Sequence, residues 1–161
     1  MMIREMVESD IREVQKIAKI SWNDTYEGII PVDVQENFLQ IAYSNEQLTK
    51  RMNRTHFFVA QKNEQIVGFA NFLPVENGVS ELAAIYLYPN SQRSGIGTAL
   101  LHKGIETLNL EKVIIHVEKA NKKAISFYKK KGFQKISEFE NNFFGHPTQI
   151  MKMMLDVHRK L

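Results

Sequence analysis

The sequence predicts an α/β fold in which a mixed sheet is flanked by helices. Residues 82–88 form a short apolar run with β-branched and aromatic members, typical of a buried strand, and a helical apolar period follows from Thr98. Residues 112–117 form a nearly continuous β-branched run, typical of a strand buried on both faces. Strands and helices alternate along the chain, but not strictly, which favours a mixed sheet over a doubly wound one.

The first third of the chain predicts an edge strand and three helices. Residues 2–6 form the strand. Ser9 and Asp10 predict a helix N-cap, with Glu13 completing a capping box to Asp10, for a helix over residues 11–22. Gly28 and Pro31 interrupt the helical pattern, and Pro31 opens the second helix. A second capping box over residues 44–47 precedes a third helix over residues 48–53.

The remaining elements are mainly strands. Residues 56–61 and 65–73 predict a hairpin, which is followed by the central strand, its helix and the strand at 112–117. Asn121 caps a further helix that ends at Gly132. Residues 133–140 and 148–155 predict the last two strands, joined by a loop at 141–147. The sheet therefore has about seven strands.

Composition limits the classes of function. A chain of 161 residues is predicted to form one domain over residues 1–161. The absence of cysteine excludes disulfides and thiolate chemistry, and the histidines lack metal-binding spacings, so we predict no metal site. No apolar run suits a signal peptide or a membrane span, which predicts a cytoplasmic protein without a membrane partner. A formal charge of +3 with dispersed lysines gives no indication of a nucleic-acid partner.

The turn between the central strand and its helix is a predicted anion site. It reads Gln-Arg-Ser-Gly-Ile-Gly over residues 92–97. The first amides of a helix lack partners within the helix, and glycine lets a ligand approach the backbone closely. A nucleoside-triphosphate loop is excluded because the chain has no Gly-Lys dipeptide, and a dinucleotide loop fits badly because Leu100 occupies the third glycine position. An ordinary glycine-bearing loop remains the alternative.

A second motif lies one strand downstream: Asn121, Ala124, Phe127, Tyr128, Gly132 and Phe133 in the order N-x-x-A-x-x-F-Y-x-x-x-G-F. Together with the pattern Q-x-x-G-x-G at residues 92–97, it resembles motifs A and B of the GCN5-related N-acetyltransferase (GNAT) family. The predicted element order also resembles that family over most of the chain. Residues 23–31 are similar to a subgroup of small bacterial members, some of which act on polyamines or other small amines.

The resemblance implies a single N-acetyltransferase domain whose central strands splay apart to admit acetyl-coenzyme A. Backbone groups of three residues of the central strand would pair with the pantetheine amides, the turn would hold the pyrophosphate, and the downstream helix would flank the cofactor. The implied cofactor-binding residues are Ile85, Tyr86, Leu87, Gln92, Arg93, Ser94, Gly95, Ile96, Gly97, Thr98, Asn121, Ala124, Phe127 and Lys130.

Acyl transfer to an amine needs a base and an acid. Glu81 is the candidate base, because strand alternation places it on the face of Ala83 and Ile85; a solvated carboxylate is the alternative. The motif makes Tyr128 the candidate acid for the departing thiolate, against the alternative of a packed core aromatic. The resemblance also implies that three aromatic residues and one histidine near the acceptor loops form the wall of the acceptor site. These residues are Trp22, Tyr26, Phe143 and His146.

The acceptor is predicted to be a small primary amine, with a polyamine first. Carboxylates near the acceptor loops, including Asp24, Glu27, Glu138 and Glu140, would attract such a cation. Two alternatives stay open: a sensor that binds acyl-coenzyme A without turnover, and an acetyltransferase for a protein or peptide amine. The oligomeric state also stays open, with a homodimer among the forms considered.

Overall fold

A computed structural model describes residues 1–158 as a seven-stranded sheet covered by helices on both faces. The strand order is β1-β2-β3-β4-β5-β7-β6, and all neighbouring strands are antiparallel except β4 and β5, which are parallel. This arrangement confirms the predicted α/β class and the mixed sheet. In chain order, the elements are β1 (Met2–Glu5), α1 (Ile11–Tyr26), α2 (Val32–Ala42), α3 (Asn45–Arg54), β2 (His56–Lys62), β3 (Gln65–Phe72), β4 (Val79–Leu87), α4 (Ile96–Leu108), β5 (Lys112–Glu118), α5 (Lys122–Lys130), β6 (Gln134–Phe143) and β7 (His146–Asp156).

Each face of the sheet carries its own hydrophobic core. On one face, Leu100 and Leu101 of α4 and Ile125 of α5 pack against the sheet; we call this the α4 face. On the other face, Val14 and Ile17 of α1 pack with residues of α3; we call this the α1 face. Burial of these apolar side chains holds both helical layers on the sheet. Within residues 1–158, no helix is both long enough and apolar enough to cross a membrane.

The first helix is longer than predicted and begins differently. It continues to Tyr26, because the polar residues after Trp22 keep the helical period that places Tyr26 on the buried face. The predicted capping box at Asp10 is wrong: the Asp10 carboxylate instead accepts hydrogen bonds from the Val7 amide at 2.9 Å and from Arg4. Burial would raise the pKa of Asp10, but these hydrogen bonds hold it below its ordinary value.

The last two strands form one long hairpin rather than two strands around a seven-residue loop. β6 continues to Phe143 and β7 begins at His146, so that the predicted loop at 141–147 lies mostly within the paired strands. The turn consists of Phe144 and Gly145, both with positive φ, which suits a two-residue hairpin turn. The hairpin therefore extends further than hydrophobic periodicity alone predicted.

Gly104 of α4 is tightly packed against β3, which gives a test of the fold. A Cβ atom at Gly104 would lie 2.1 Å from Phe72, so we expect Gly104→Ala to force a shift between α4 and the sheet. We expect the free energy of unfolding to fall by about 1–3 kcal/mol, despite the better helix propensity of alanine. Urea unfolding measures the change. Lys103→Ala, at an exposed position of the same helix, is the control and should change stability by under about 0.5 kcal/mol. Equal stabilities of the two variants would contradict the packing.

Candidate functional site

The candidate site begins where β4 and β5 separate. The two strands pair only at their starts, through Val79 with Lys112, Ser80 with Val113 and Glu81 with Ile114. Beyond these pairs, β4 continues to Leu87 in register with β3, while β5 continues to Glu118 in register with β7. Within residues 1–158, the β5-facing edge of β4 after Glu81 has no strand partner. An extended ligand can therefore pair with this edge as an added strand does.

A β-bulge in β4 sets which side chains face each side of the opening. The register with β3 shifts between Asn71 and Phe72, which leaves Ala83 as an extra residue. Leu82 packs on the α4 face, but after the bulge Ala84 packs on the α1 face and Ile85 on the α4 face. The prediction that Glu81 shares a face with Ile85 is therefore wrong, because simple alternation ignores the extra residue.

The turn after β4 ends at the N-terminus of α4. Gly95 is the residue before the helix and has φ of 84°, and Arg93 has φ of 62°. A Cβ atom at Gly95 would meet no other atom within 4 Å, so the space beside this backbone is open. The free amides of the first turn of α4 adjoin this space and form a site for an anion.

Gly97 brings the start of α4 close to α5. A Cβ atom there would lie 3.4 Å from the Phe127 ring and 3.5 Å from Leu87. These are ordinary van der Waals distances, so the space beside Gly97 accommodates a methyl group but nothing larger without a shift of the neighbouring side chains. The N-terminus of α4, the end of β4 and the aromatic side chain of α5 therefore lie close together around the opening.

The opening leads into a cavity of about 960 Å³. Most of the predicted cofactor residues line it: Ile85, Tyr86, Leu87, Gln92, Arg93, Gly95, Gly97, Thr98, Asn121, Ala124, Phe127 and Lys130, together with Tyr128. Two of the predicted residues are not part of the lining. Ile96 is buried in the core of the α4 face, and the Ser94 hydroxyl donates a hydrogen bond to the Ser91 carbonyl.

Cationic side chains surround one part of this cavity. Besides the predicted Arg93 and Lys130, the lining includes Lys122, Lys123 and Lys131 of the α5 region. These lysines, which are dispersed in the sequence, thus line one cavity together with Arg93 and the start of α4. The resulting concentration of positive charge suits a ligand with several phosphate charges.

Helix α5 positions two of the predicted residues. The Asn121 side chain accepts a hydrogen bond from the Ala124 amide at 3.2 Å, which confirms the predicted N-cap. One helical face then presents Phe127 and Tyr128 near the cavity. Tyr128 is only 7% exposed, and its burial, with Tyr26 nearby, raises its pKa above the ordinary value of 10. The Tyr128 hydroxyl is protonated at neutral pH, as an ordinary tyrosine is, and the raised pKa makes it a weaker acid than an ordinary tyrosine.

Three of the four residues predicted to form the acceptor wall lie close together, but they do not line the cavity. Trp22 lies 4.4 Å from Tyr26 and 5.7 Å from Phe143 between ring centroids, and the last pair is stacked. Phe38 of α2, which sequence analysis did not select, also lies 4.4 Å from Trp22. These rings pack against one another beside the cavity rather than lining it. His146 lies opposite Phe143 in the hairpin and is not among the lining residues.

A polar face of α1 lines the cavity instead. Ser21, Asp24 and Thr25 occupy it, followed by Ile29. The Ser21 hydroxyl is buried and has no hydrogen-bond partner within the described residues. Positions 21, 24 and 25 share one helical face, so this wall was detectable only if the helix had been predicted to continue past Trp22.

Glu138 does not belong to an acidic mouth, contrary to the sequence-based expectation. Its register partner Met151 packs on the α4 face, whereas the aromatic wall lies on the α1 side. The Glu138 carboxylate contacts Lys135 at 2.9 Å and Lys119 at 3.3 Å. The Lys135 hydrogen bond is the main cause that lowers the pKa of Glu138 below its ordinary value. Among the predicted acidic residues, only Asp24 lines the cavity.

Glu81 belongs to the last pair between β4 and β5, at the point where the two strands begin to separate; we call this point the inner end of the opening. Glu81 is not among the residues that line the cavity. Its Oε1 atom lies 2.7 Å from Nδ1 of His116 on β5. No sequence pattern indicates this contact, because the two residues meet through the pairing of strands that are far apart in the chain. The opening thus has a carboxylate with a bound imidazole at one end and a cationic cavity at the other.

The chemistry of these residues fits an extended ligand with an amide-bearing arm and a phosphate-bearing end. The unpaired edge of β4 suits the arm. The free amides of α4 and the five cationic side chains of the lining, Arg93, Lys122, Lys123, Lys130 and Lys131, suit the phosphates.

Comparison with known proteins gives a family and several relatives. The family model described as "Acetyltransferase (GNAT) family" matches residues 14–133. An uncharacterized N-acetyltransferase of Bacillus subtilis, YuaI, is 36% identical over 110 residues, which are 66% of this chain and 63% of that protein. The chain therefore matches a little under two thirds of the length of that relative.

Two further similarities cover more of the chain. Spermidine N(1)-acetyltransferase of Thermoplasma acidophilum is 27% identical over 141 residues, which are 82% of this chain and 87% of that protein. A crystal structure of PaiA N-acetyltransferase from the same organism, in complex with coenzyme A, matches with a TM-score of 0.83. It is 24% identical and covers 94% of this chain and 96% of its own, so this likeness supports the fold alone.

Proposed function

Because this chain belongs to the GNAT acetyltransferase family, we propose that it transfers the acetyl group of acetyl-coenzyme A to a primary amine of a small acceptor. The observation that carries the proposal is the separation of β4 and β5 beside a cationic cavity. This opening holds an extended thioester with its phosphates at one end, and it leaves the α1 side free for an acceptor. Coenzyme A supplies the activated acetyl group when it is bound.

The chain has separate elements for the two parts of coenzyme A. Amides at the start of α4 bind the pyrophosphate, and Arg93 and the lysines of the α5 region compensate its charge. Backbone groups of Ile85, Tyr86 and Leu87 pair with the amides of the pantetheine arm. Phe127 and Ala124 exclude water from one side of that arm.

Proton movement is assigned to the two ends of the opening. An alkylamine is mostly protonated at neutral pH, so a proton must leave before its nitrogen attacks. We assign proton removal to the inner end, where the Glu81 carboxylate is the candidate base, alone or through a group in contact with it. Tyr128, whose side chain lines the cavity beside the proposed pantetheine arm, donates a proton to the departing thiolate.

Two features support a small cationic acceptor. Asp24 is an exposed carboxylate on a cavity wall whose other charged residues are cations, so it attracts an ammonium group away from the phosphate region. The similarity to a spermidine N(1)-acetyltransferase over 82% of this chain favours a polyamine within this class. A protein or peptide amine is the competing acceptor.

The first test concerns the loop at the start of α4. We expect Gly95→Asp to abolish coenzyme A binding, because it adds a side chain and a negative charge to the space for the pyrophosphate. Isothermal calorimetry measures the affinity. Gly145→Asp is a matched control, since Gly145 also has positive φ and no neighbour within 4 Å of a Cβ atom, but it lies outside this cavity. The control should retain wild-type affinity; the same loss in both variants would contradict the assignment.

The second test concerns the proposed acid. We expect Tyr128→Phe to lower kcat by about 10²-fold and to leave the affinity for acetyl-coenzyme A unchanged, because only the proton donor is lost. Steady-state kinetics and calorimetry measure the two quantities. Tyr43→Phe, at a buried tyrosine outside the cavity, is the control and should keep wild-type kcat. Wild-type turnover of the Tyr128 variant at all pH values would assign Tyr128 to packing.

The third test identifies the acceptor. Thiol release from acetyl-coenzyme A is measured with spermidine, lysine, kanamycin and a short peptide at equal concentration, and we expect the highest kcat/KM with spermidine. Asp24→Asn should then raise the KM for spermidine about tenfold, as expected for loss of one ionic hydrogen bond of roughly 1.5 kcal/mol. Asp33→Asn is the control at an exposed carboxylate of α2 outside the cavity.

The outcomes separate three functions. Preference for the peptide contradicts the small-amine proposal and keeps the acetyltransferase assignment. Binding of acetyl-coenzyme A without thiol release for any amine indicates a sensor instead of an enzyme.

A further inference from the structure

His116 and Glu81 form a contact at the inner end of the opening that no motif accounts for. Glu81 is part of the last pair between β4 and β5, and His116 lies two positions after its register partner Ile114. Strand alternation places Ile114 and His116 on the same face of the sheet, opposite to the buried Val113 and Ile115 of the α4 face. His116 is therefore on the acceptor side, in the part of β5 that has already separated from β4.

The atoms in contact determine which nitrogen of the ring remains free. Nδ1 of His116 lies 2.7 Å from Oε1 of Glu81, a short hydrogen-bond distance to a carboxylate. In the neutral ring, a nitrogen beside a carboxylate carries the hydrogen, so Nδ1 donates to Glu81 and Nε2 is an acceptor. The side chains of Glu81 and His116 are 31% and 36% exposed, so that a solute can reach the pair.

We propose that Glu81 and His116 act as one proton-accepting pair, in which Nε2 of His116 receives the proton of the acceptor amine. This inference rests on the proposed function and names the residue that completes its base. Glu81 holds the ring in the required tautomer and compensates the charge that the ring acquires. His116 is thus the catalytic residue of the pair, and Glu81 positions it.

The proton transfer balances without a further reactant. An N–H bond of the acceptor ammonium breaks, and its electron pair stays on nitrogen, which becomes the nucleophile. The proton forms a bond with Nε2, so neutral His116 becomes an imidazolium beside the Glu81 carboxylate. The sum of charges over the amine and the pair does not change, and the proton later passes to water.

The chemistry of the two groups explains why the proton resides on the ring. An imidazole ordinarily titrates about two pH units above a carboxylate, and a general base is most effective when it titrates near the working pH. Because Nδ1–H of the ring is engaged by Glu81, Nε2 is the ring atom that is free to accept the proton, and the adjacent carboxylate offsets the charge that the ring acquires.

The surroundings of His116 fix the ring and balance its charge. The Phe139 ring of β6 lies 6.0 Å away in an edge-to-face arrangement. Lys152 of β7 is the register partner of His116, and Glu118 is the next residue of β5 on the same face. With Glu81 of β4, the charged residues on this face of the sheet beside His116 are therefore Glu81, Glu118 and Lys152.

The decisive variant is His116→Asn. Asparagine keeps an N–H donor close to the place of Nδ1 but has no group to accept a proton at the place of Nε2. We expect kcat/KM for the best amine to fall about 10²-fold, and the acidic limb of its pH profile to move to lower pH, because only the carboxylate remains as base. Wild-type kcat/KM, or a normal acidic limb, in this variant would overturn the proposal and leave His116 as a positioning residue.

Two controls accompany this variant. His102→Asn, at an exposed position of α4 outside the cavity, should keep the wild-type profile. Affinity for acetyl-coenzyme A, measured by calorimetry, should be unchanged in His116→Asn, which separates loss of a base from loss of the fold.

A second measurement does not depend on turnover. Long-range ¹H–¹⁵N spectra of the wild-type protein above neutral pH report which ring nitrogen of His116 carries the hydrogen. We expect the Nδ1–H tautomer in the wild type and its loss in Glu81→Ala. An Nε2–H tautomer in the wild type would overturn the proposal, because Nε2 would then be unable to accept a proton.

Failure of the pair is distinguishable from failure of the proposed function. Acetyl transfer by the wild type together with a fully active His116→Asn variant rejects the pair alone. Absence of transfer from the wild type to any amine rejects the proposed function, whatever tautomer the spectra show.

Discussion

The separation of β4 and β5 is the constraint on which the rest of the site depends. Parallel strands that have begun to pair normally continue, because each unpaired backbone group in a buried sheet loses a hydrogen bond. Here the ladder stops at Glu81 and Ile114, while both strands stay paired on their outer sides. The unpaired edge is stable because it borders a cavity, where water or a ligand can satisfy its groups. A binding groove thus follows directly from an interrupted sheet.

The opening also separates charges of opposite sign. Cationic residues of the α5 region and Arg93 line the cavity together with the start of α4, whereas Asp24 lies on α1 and Glu81 at the inner end. A polyanionic cofactor and a cationic acceptor are therefore attracted to different parts of one site. The net charge of +3 conceals this arrangement, because it averages over groups that the fold distributes unevenly.

Aromatic packing connects distant segments on the acceptor side. Trp22 of α1, Phe38 of α2 and Phe143 of the β6–β7 hairpin lie within 5.7 Å of one another between ring centroids. Contacts of this kind add to the stability gained by burying the rings. They hold the hairpin against α1 and α2, and this position brings β6, with Phe139, close to His116. The arrangement of the helices and the hairpin on the acceptor side thus depends on residues that do not line the cavity.

The sequence by itself determined the fold class, the approximate position of each strand and helix, the glycine turn at the start of α4 and the cap at Asn121. These features depend on local periodicity and on backbone conformation within a few residues. Only the tertiary structure decided the contact between Glu81 and His116, the polar wall around Asp24 and the burial of Trp22 away from the cavity. The contact depends on where paired strands diverge and on the extra residue Ala83, which reverses alternation, whereas the polar wall and the position of Trp22 depend on the continuation of α1 to Tyr26. These features are set by contacts between segments far apart in the chain, which local patterns do not record.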